Sequence, residues 1–476
     1  MTRYLIAALL LLTPPAFAAE PSREAKVAAI MEMLRADPPA LRAFLQQMPK
    51  GGDLHNHLDG SVWAEDFLKW ADQDNFCIDK ASHALTPPPC TATQAEARGL
   101  MTRDVKFYEA TIDALSMRNF VPGTGTGETS GHDHTFAAFP RFAPVMANHL
   151  GDALAVTRAQ AAADTVQYVE QITDPGAAFA PALLGSIAKF DPADFDADLR
   201  QAEPQLAGLV QEARAEYDAA EAKMQGDLRC AAASPSPGCA VKVRYLFFVL
   251  RTLPSSQVFA QTALGFALAD ADPRFVGIDL VAPEDDPVAL RDFELQMRIF
   301  QYFHRRYPRV KISLHAGELW LGLVPPSELG FHIRDSIEIA GASRIGHGYE
   351  LPFERDVQGL LAEMAKRQVA VEINLTSNAI TPGVTGAEHP LRMYRNANVP
   401  FTLSADDEGV FRIDLTHEYV RAALEQRLTY GDLKTAARNG IKFSFLPGNE
   451  KPAAQAALEQ AFDDFETRML AGRVAR

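Results

Sequence analysis

Four short segments, far apart in the chain, carry residue types that bind metal ions and move protons. They are Leu54-His55-Asn56-His57, His315-Ala316-Gly317-Glu318, Gly346-His347-Gly348 and Asp406-Asp407. Three imidazoles and one carboxylate form a mononuclear zinc site, and a zinc ion supplies hydroxide at neutral pH. The remaining histidine, glutamate and aspartate are then free to transfer protons and bind a substrate. This combination indicates a metal-assisted hydrolase.

Each segment taken alone has an ordinary explanation. A His-x-His pair is common in loops, His315 with Glu318 can be a buried histidine beside a surface acid, and His347 can be a core histidine. Adjacent Asp406 and Asp407 at an apolar strand tip are costly unless a cation lies between them. Together, at the ends of separate predicted strands, the four segments favour one shared site.

The elements that must position these residues are eight apolar runs that alternate with helical patterns. The runs are Gly52–Leu58, Thr165–Ile172, Val241–Leu250, Phe275–Val281, Val310–Leu314, Arg344–His347, Val369–Leu375 and Pro400–Ser404. Continuous apolar runs are typical of a parallel sheet covered on both faces. The sequence therefore predicts an α/β fold, a (β/α)₈ TIM barrel, with the reactive residues at the C-terminal ends of strands one, five, six and eight.

The rest of the chain is organised around this barrel. Residues 19–50 form an N-terminal helical segment, with a helical pattern of apolar residues from Ser22 to Gln47. The barrel spans 51–445, with helical insertions after strands one and two at about 72–164 and 176–240. A C-terminal helical extension covers 446–476.

The first eighteen residues have the pattern of a signal peptide. Arg3 precedes the apolar run Leu5–Leu12, and Ala16-Phe17-Ala18 is a cleavage motif. The apolar run is too short for a membrane anchor, so we expect an exported protein, periplasmic or secreted, with no membrane contact in its mature form. Export in turn favours disulfides Cys77–Cys90 and Cys230–Cys239 over a cysteine metal site, since neither spacing is C-x-x-C.

Charge narrows the class of substrate. The formal net charge of -15, without a dense Lys/Arg run, disfavours a nucleic-acid polymer as partner.

His132-Asp133-His134 follows a glycine-rich loop and suggests either a second metal or, more in keeping with loops, a solvated or lid-lining role. Leu375-Thr376-Ser377-Asn378 after strand seven either lines the pocket or caps the strand end, and capping is the favoured interpretation.

At this point the motifs resemble a known family. The run Met48 to Ser61, Ser313 to Glu318, Arg344 to Gly348 and Leu403 to Asp407 are similar to the adenosine deaminase family. The signal peptide, the long insertion after strand one and the Met-Pro-Lys-Gly lead-in resemble its secreted, growth-factor-related branch.

The resemblance implies a role for each residue. Zinc, one ion per chain, would be held by His55, His57, His315 and Asp406. His347, jointly with Asp406, would orient and deprotonate the attacking water, and Glu318 would protonate the purine N1. Asp407 would contact N7, and Asp59 the ribose 5′-hydroxyl. Ala282 stands where the family has a glycine whose N–H contacts N3, and this departure leaves the purine's pose and identity open.

The predicted function is zinc-dependent hydrolysis of adenosine or 2′-deoxyadenosine to the inosine product and ammonia. Two alternatives stay open: a related aminohydrolase for adenine or a modified nucleoside, and a secreted nucleoside-binding protein without turnover. The expected partner is a small-molecule purine nucleoside, and the sequence does not assign an oligomeric state.

Overall fold

The computed structural model describes residues 21–472, so the predicted signal peptide at 1–18 lies outside the described residues. Eight parallel strands form one sheet in chain order. The barrel strands are β1 Gly51–His57, β2 Val166–Thr173, β3 Lys242–Leu250, β4 Phe275–Val281, β5 Lys311–Ala316, β6 Arg344–His347, β7 Ala370–Ile373 and β8 Phe401–Leu403.

The first and last strands meet and close the cylinder just beyond the end of β8. Asp406 donates its N–H to the carbonyl of His55 at 2.9 Å, and His57 donates its N–H to the carbonyl of Asp406 at 3.0 Å. Helices cover the outside of the strands, so β1 and β7 are buried along their whole length. The predicted (β/α)₈ barrel is confirmed.

The N-terminal segment is helical and consists of two helices. They are α1 Arg23–Leu34 and α2 Pro38–Gln46. The break lies at Asp37, which leaves the helical conformation, accepts a hydrogen bond from Ala40 N–H as an N-cap, and is followed by Pro38.

The connection from β1 to β2 holds more than the predicted helices. Its helices are α3 Ala64–Gln73, α4 Leu100–Arg103, α5 Val105–Ala114, α6 Gly131–Met146 and α7 Leu150–Ala163. A three-stranded antiparallel sheet (Cys77–Asp79, Leu85–Thr86 and Gln94–Glu96) lies between α3 and α4, which an all-helical insertion did not anticipate. Its three pieces are two or three residues long, too short for a periodic signal.

The remaining helices follow the barrel pattern. After β2 come α8 Pro181–Leu184 and the long α9 Phe195–Asp227. The others are α10 Ser255–Ala271, α11 Pro287–Arg306, α12 His332–Asp335 (continued by a π turn, Ser336–Ala340), α13 Val357–Arg367, α14 Leu375–Ile380, α15 Leu391–Asn396, α16 Glu408–Phe411, α17 Leu415–Leu424, α18 Tyr430–Lys442 and α19 Lys451–Leu470.

Both cysteine pairs lie in the insertions. Cys77 is bonded to Cys90, and Cys230 to Cys239, as the sequence predicted. The first disulfide ties the small sheet together, and the second closes the link between α9 and β3.

Close backbone contact fixes the position of β1. A Cβ on Gly52 would lie 2.6 Å from the carbonyl oxygen of Gly440 on α18, so only glycine permits this approach. Buried Lys50 donates to the carbonyls of Leu45 and Asp164 and anchors the chain just before the strand.

Within residues 21–472, none of the helices combines the length and the apolar character that crossing a bilayer requires.

Candidate metal centre and active site

The two histidines of β1 point to the same side of the strand. Because side chains alternate along a strand, residues two apart share a face, and here both rings face the barrel interior. His55 Nδ1 lies 2.8 Å from Glu372 Oε2 of β7, a carboxylate that can only accept, so His55 donates through Nδ1 and keeps its lone pair on Nε2.

His315, at the end of β5, is oriented in the same way. Its Nδ1 lies 3.0 Å from Asp279 Oδ2 of β4, so its Nε2 is also left with a lone pair. That Nε2 lies 3.1 Å from Nε2 of His57. Burial is the main cause that lowers the pKa of His57 to about 3 and that of His315 well below its ordinary value, so both rings are neutral and able to bind a metal ion.

Asp406 brings negative charge to these nitrogens. It follows β8 with φ +61°, a left-handed backbone that aims the carboxylate into the barrel. Its Oδ1 lies 3.4 Å from Nε2 of both His55 and His57.

The cluster fits a metal ion. His55 Nε2 is buried and has no hydrogen-bond partner, although polar atoms in protein interiors are normally satisfied. Burial alone would lower the pKa of His55, yet Asp406 and Glu372 raise it well above its ordinary value, so the carboxylates require positive charge at this point. Three nitrogens and one oxygen are a donor set that zinc prefers over magnesium or calcium.

His347 and Glu318 lie beside the cluster. His347, with φ +63°, has Nδ1 2.9 Å from Asn378 Oδ1 and Nε2 3.8 Å from Glu318 Oε1. Its Nε2 is 3.9 Å from Asp406 Oδ2, and the ligand-type atoms of His55, His315, His347 and Asp406 all lie within 4.8 Å of one another. His57 lies closer to Asp406 and His315 than His347 does to Asp406, which favours His57 as ligand and leaves His347 for proton transfer.

The glycine before His347 is required by the site. A Cβ on Gly346 would come within 2.7 Å of the ring of His55, so no larger residue can stand between these two histidines. We expected the glycines on both sides of His347 to allow close approach, and Gly346 does so.

Two further carboxyls are shifted towards the protonated form. Burial is the main cause that raises the pKa of Glu318, which is 9% exposed. Burial, followed by the adjacent charge of Asp406, raises the pKa of Asp407 well above its ordinary value. Burial therefore favours the protonated form of both carboxyls, the form that can donate a hydrogen bond or a proton.

A cavity of about 470 Å³ opens over these residues. The cluster and Glu318 form part of its lining, and α6 contributes a mostly apolar wall of Thr135, Phe136, Phe139, Pro140 and Ala143. Among the described residues that line the cavity, none is a lysine or an arginine, whereas Asp59, Asp286 and Asp407 all reach it.

Ala282 lies in this lining with φ +81°, a backbone conformation that disfavours any residue except glycine. The chain thus keeps a glycine-like geometry at the end of β4 while placing a methyl group at the cavity wall.

Residues that orient the histidines escaped the sequence interpretation. Glu372, Asp279 and Asn378 each bond to a ring nitrogen of the site. A signal existed for the two acids, because each stands inside an apolar strand where an unpartnered carboxylate is costly. Asn378, for which capping was favoured over a pocket-lining role, lies on α14 and bonds to His347.

The histidines at 132 and 134 serve α6 rather than a second metal. His132 Nε2 lies 3.0 Å from Asp285, and buried His134 contacts Glu128 and the carbonyls of Asp113 and Ser116. Within the described part of the chain, neither belongs to a cluster of three or more potential metal ligands.

The fold is shared with solved structures of low sequence identity. A zinc-bound amidohydrolase from Burkholderia ambifaria matches with a TM-score of 0.59 and 19% identity, over 91% of this chain and 95% of that one. The N6-methyl-AMP deaminase of Arabidopsis thaliana gives 0.57 and 19%, over 89% and 99%. The adenine deaminase of Arthrobacter aurescens gives 0.55 and 16%, over 87% and 98%.

Curated relatives have higher sequence identity to this chain, but the aligned segments cover less of either protein. An adenosine deaminase of Erwinia tasmaniensis is 34% identical over 163 residues, which is 34% of this chain and 46% of the relative. An adenosine deaminase of Escherichia coli is 36% identical over 143 residues, 30% of this chain and 40% of the relative. The chain thus spans less than half the length of these curated relatives. The model of the family described as adenosine deaminase matches residues 206–461, more than half of the chain, and the protein therefore belongs to the adenosine deaminase family.

Proposed function

We propose that the protein is a zinc-dependent aminohydrolase that converts adenosine or 2′-deoxyadenosine into the inosine product and ammonia. One observation carries the proposal: lone pairs of neutral imidazoles and the Asp406 carboxylate converge beside Glu318, at a cavity of small-molecule size. A site that only bound a nucleoside would need neither the buried acid nor the ligand cluster.

His55, His57, His315 and Asp406 are the proposed ligands, and zinc bound there would supply a water with its pKa lowered to about 7. His347 is fixed by Asn378 through Nδ1, so Nε2 faces the cavity with a lone pair and accepts the water's proton together with Asp406.

Glu318 is the proposed acid. Burial raises its pKa and so favours the protonated carboxyl, which would deliver its proton to the purine N1 while the water oxygen bonds to C6. The proton taken up by His347 and Asp406 then passes to the C6 amine, which leaves as ammonia, and the C6 hydroxyl returns a proton to Glu318 as it becomes the carbonyl. Atoms and charge therefore balance without a further reactant.

The proposed purine contacts are those that the family resemblance implies. Asp407 has a buried Oδ1 without a partner and a raised pKa, so its carboxyl can donate to N7, which only accepts. Asp59, whose pKa burial raises to about 6, lines the cavity and is assigned to the ribose 5′-hydroxyl. The N–H of Ala282 is assigned to N3.

The charge of the cavity favours a nucleoside over a nucleotide. A phosphate would meet carboxyl groups at Asp59 and Asp286, and none of the described lining residues is a lysine or arginine. This lining speaks against the N6-methyl-AMP named for the Arabidopsis structure as the substrate here. Adenine or a modified nucleoside remains the second candidate, because Ala282 adds a methyl group to the wall.

We also propose export. The two disulfides support it, because disulfides persist in oxidising compartments and are rare in the cytosol. The signal-peptide pattern of residues 1–18 supports it independently.

A substrate panel tests the proposal. Purified protein with zinc is offered adenosine, 2′-deoxyadenosine, adenine, N6-methyladenosine and AMP, and amine release is followed by ultraviolet absorbance and an ammonia assay. We expect turnover of the two nucleosides and at least about 100-fold lower kcat/KM for AMP, because its phosphate lacks a cationic partner. Preferred turnover of adenine, N6-methyladenosine or AMP would replace the proposed substrate.

Glu318→Gln tests the mechanism. The amide keeps the size of the side chain but cannot deliver the proton, so we expect kcat to fall by about 10³-fold or more with zinc content unchanged. Glu388→Gln, at an exposed position, is the matched control and should leave kcat unaltered. Wild-type protein that binds adenosine but turns over no member of the panel would favour the binding-protein alternative.

A further inference from the structure

One buried guanidinium lies behind the candidate active site. Arg251 follows β3 directly and is 1% exposed. Its Nη2 donates to the carbonyl of His315 at 2.5 Å and to the carbonyl of Leu280 at 2.7 Å. The end of β3 is thus tied to the ends of β4 and β5.

The same side chain reaches Glu318 through a second buried residue. Arg251 Nη1 lies 3.1 Å from Oε1 of Glu284, which is 2% exposed. The other oxygen of Glu284 accepts the backbone N–H of Glu318 at 2.7 Å. Burial raises the pKa of Glu284, whereas the charge of Arg251 lowers it, so the guanidinium favours the ionised acceptor.

Both ends of the turn from His315 to Glu318 are therefore held from one point. Between them Gly317 has φ +66°. Because glycine allows many backbone conformations, contacts from other segments must hold the turn in one of them. Glu350 N–H donates to the carbonyl of Gly317 at 2.9 Å, and Gln296 holds the carbonyl of Arg251 at 2.8 Å.

We propose that Arg251 is a positioning residue that, through Glu284, sets the Glu318 carboxyl relative to the metal ligand His315. It touches neither substrate nor metal ion, and it acts by fixing the backbone on which ligand and acid stand three residues apart. Its kinetic consequence rests on the proposed function, whereas its effect on the turn does not. A displacement of about 1 Å in a catalytic group lowers the rate about 100-fold. The rate that this restraint preserves therefore offsets the cost of burying the charge of Arg251.

The experiment compares Arg251→Met, Arg251→Lys and Glu284→Gln with the zinc-loaded wild type. The control is Arg274→Met, the same substitution at an arginine before β4, at the opposite end of the barrel, which pairs with Asp272. For each protein we would measure hydrogen exchange of the Glu318 amide, zinc affinity by chelator competition, kcat and KM for adenosine, and thermal unfolding.

We expect the Glu318 amide to exchange about tenfold faster or more in Arg251→Met and Glu284→Gln, because its acceptor is displaced or loses its charge. We expect kcat to fall about 100-fold in Arg251→Met while KM changes less than about threefold, with Arg251→Lys recovering part of the loss. Arg274→Met should lower thermal stability alone.

Unchanged exchange at Glu318 in both Arg251→Met and Glu284→Gln overturns the inference, whatever the substrate. Faster exchange with kcat unchanged, or with kcat falling as much in Arg274→Met, also overturns it. If wild type deaminates none of the purines, the proposed function fails, and the exchange rates alone decide whether Arg251 holds the turn.

Discussion

The imidazoles of the site depend on acids that sit inside apolar strands. Glu372 on β7 and Asp279 on β4 are fully buried, and each fixes the tautomer of one histidine by accepting from its Nδ1–H. Arg344 and Glu170 continue this chain of charges from Glu372 across the barrel interior. The ionised state of Glu372 follows, since Arg344 and His55 outweigh burial and lower its pKa to about 2.

Replacing Asp279 with asparagine should weaken zinc binding. The amide would keep an acceptor but not the charge that makes His315 a strong ligand, so we expect a loss of about 10- to 100-fold in affinity, measured by chelator competition. Asp198→Asn, at a buried aspartate that accepts from Asp191 N–H near the start of α9, is the control. Equal zinc affinity in wild type and Asp279→Asn would show that His315 does not need this partner.

Gly60 is predicted to be required for the position of Asp407. A Cβ there would lie 1.7 Å from Asp407 Oδ1, so Gly60→Ala must displace the carboxyl. We expect kcat/KM for adenosine to fall about 100-fold with zinc retained. Gly208→Ala, with no atom within 4 Å of the added carbon and an exposed place in α9, should instead raise stability by up to about 1 kcal/mol. Unchanged kinetics in Gly60→Ala would remove Asp407 from the substrate contacts.

At the residue scale, the sequence predicted the members of the site whose types are unusual at strand ends. His55, His57, His315, His347, Glu318 and Asp406 do converge. Their partners were missed because a lone acid within an apolar run has many explanations, and only the register of neighbouring strands shows which ring it meets. The roles of all these residues stay predictions until variants are measured.

Among the described elements, α6 contributes the most residues to the cavity lining. It comes from the insertion between β1 and β2, supplies the apolar wall, and is joined to the loop after β4 by His132 and Asp285. Burial opposes protonation of His132, but the hydrogen bond and charge of Asp285 outweigh it and raise its pKa to about 9.

This pair makes a pH-dependent contribution to stability. A histidine whose folded pKa lies above its ordinary value stabilises the fold fully below about pH 6.5, and the contribution is lost as pH rises through about 9. We therefore expect His132→Gln to lower the free energy of unfolding by about 2 kcal/mol at pH 6 and by much less at pH 10. Denaturant titrations of both proteins across this range provide the measurement. A difference that does not vary with pH would mean that the ring is neutral in the fold.

The boundaries of long elements followed from periodicity, and short ones did not. The helical insertion expected at about 176–240 contains the long α9, and the eight strands lie where predicted to within a few residues. The small sheet around Cys77 was missed because its strands are held by pairing and the disulfide rather than by an apolar pattern.

At the scale of the whole molecule, the ligands come from strands on several sides of the cylinder. The proposed ligands His55 and His57 lie on β1, His315 on β5 and Asp406 beyond β8. One ion would therefore connect the seam between β1 and β8 to β5, which is a sheet neighbour of neither. The barrel itself was predictable, because eight apolar runs alternating with helices have few other solutions.

Removal of the metal should therefore lower global stability. Exhaustive chelation is expected to reduce the free energy of unfolding by about 3 kcal/mol or more, as for any ligand present at 100 times its dissociation constant or above. Thermal unfolding before chelation, after it and after zinc is returned would show the loss and its recovery. A melting temperature that is the same in all three samples would argue that the cluster binds no ion.

The closing bonds of the barrel have a consequence for how the protein is made. The seam between the first and last strands is formed by His55, His57 and Asp406 themselves, residues separated by some three-quarters of the polypeptide. A chain still emerging from the ribosome carries the histidines of its first strand long before their aspartate exists. The proposed metal site is consequently complete only after most of the polypeptide has been made, so loading of an ion there would be a late event in biogenesis.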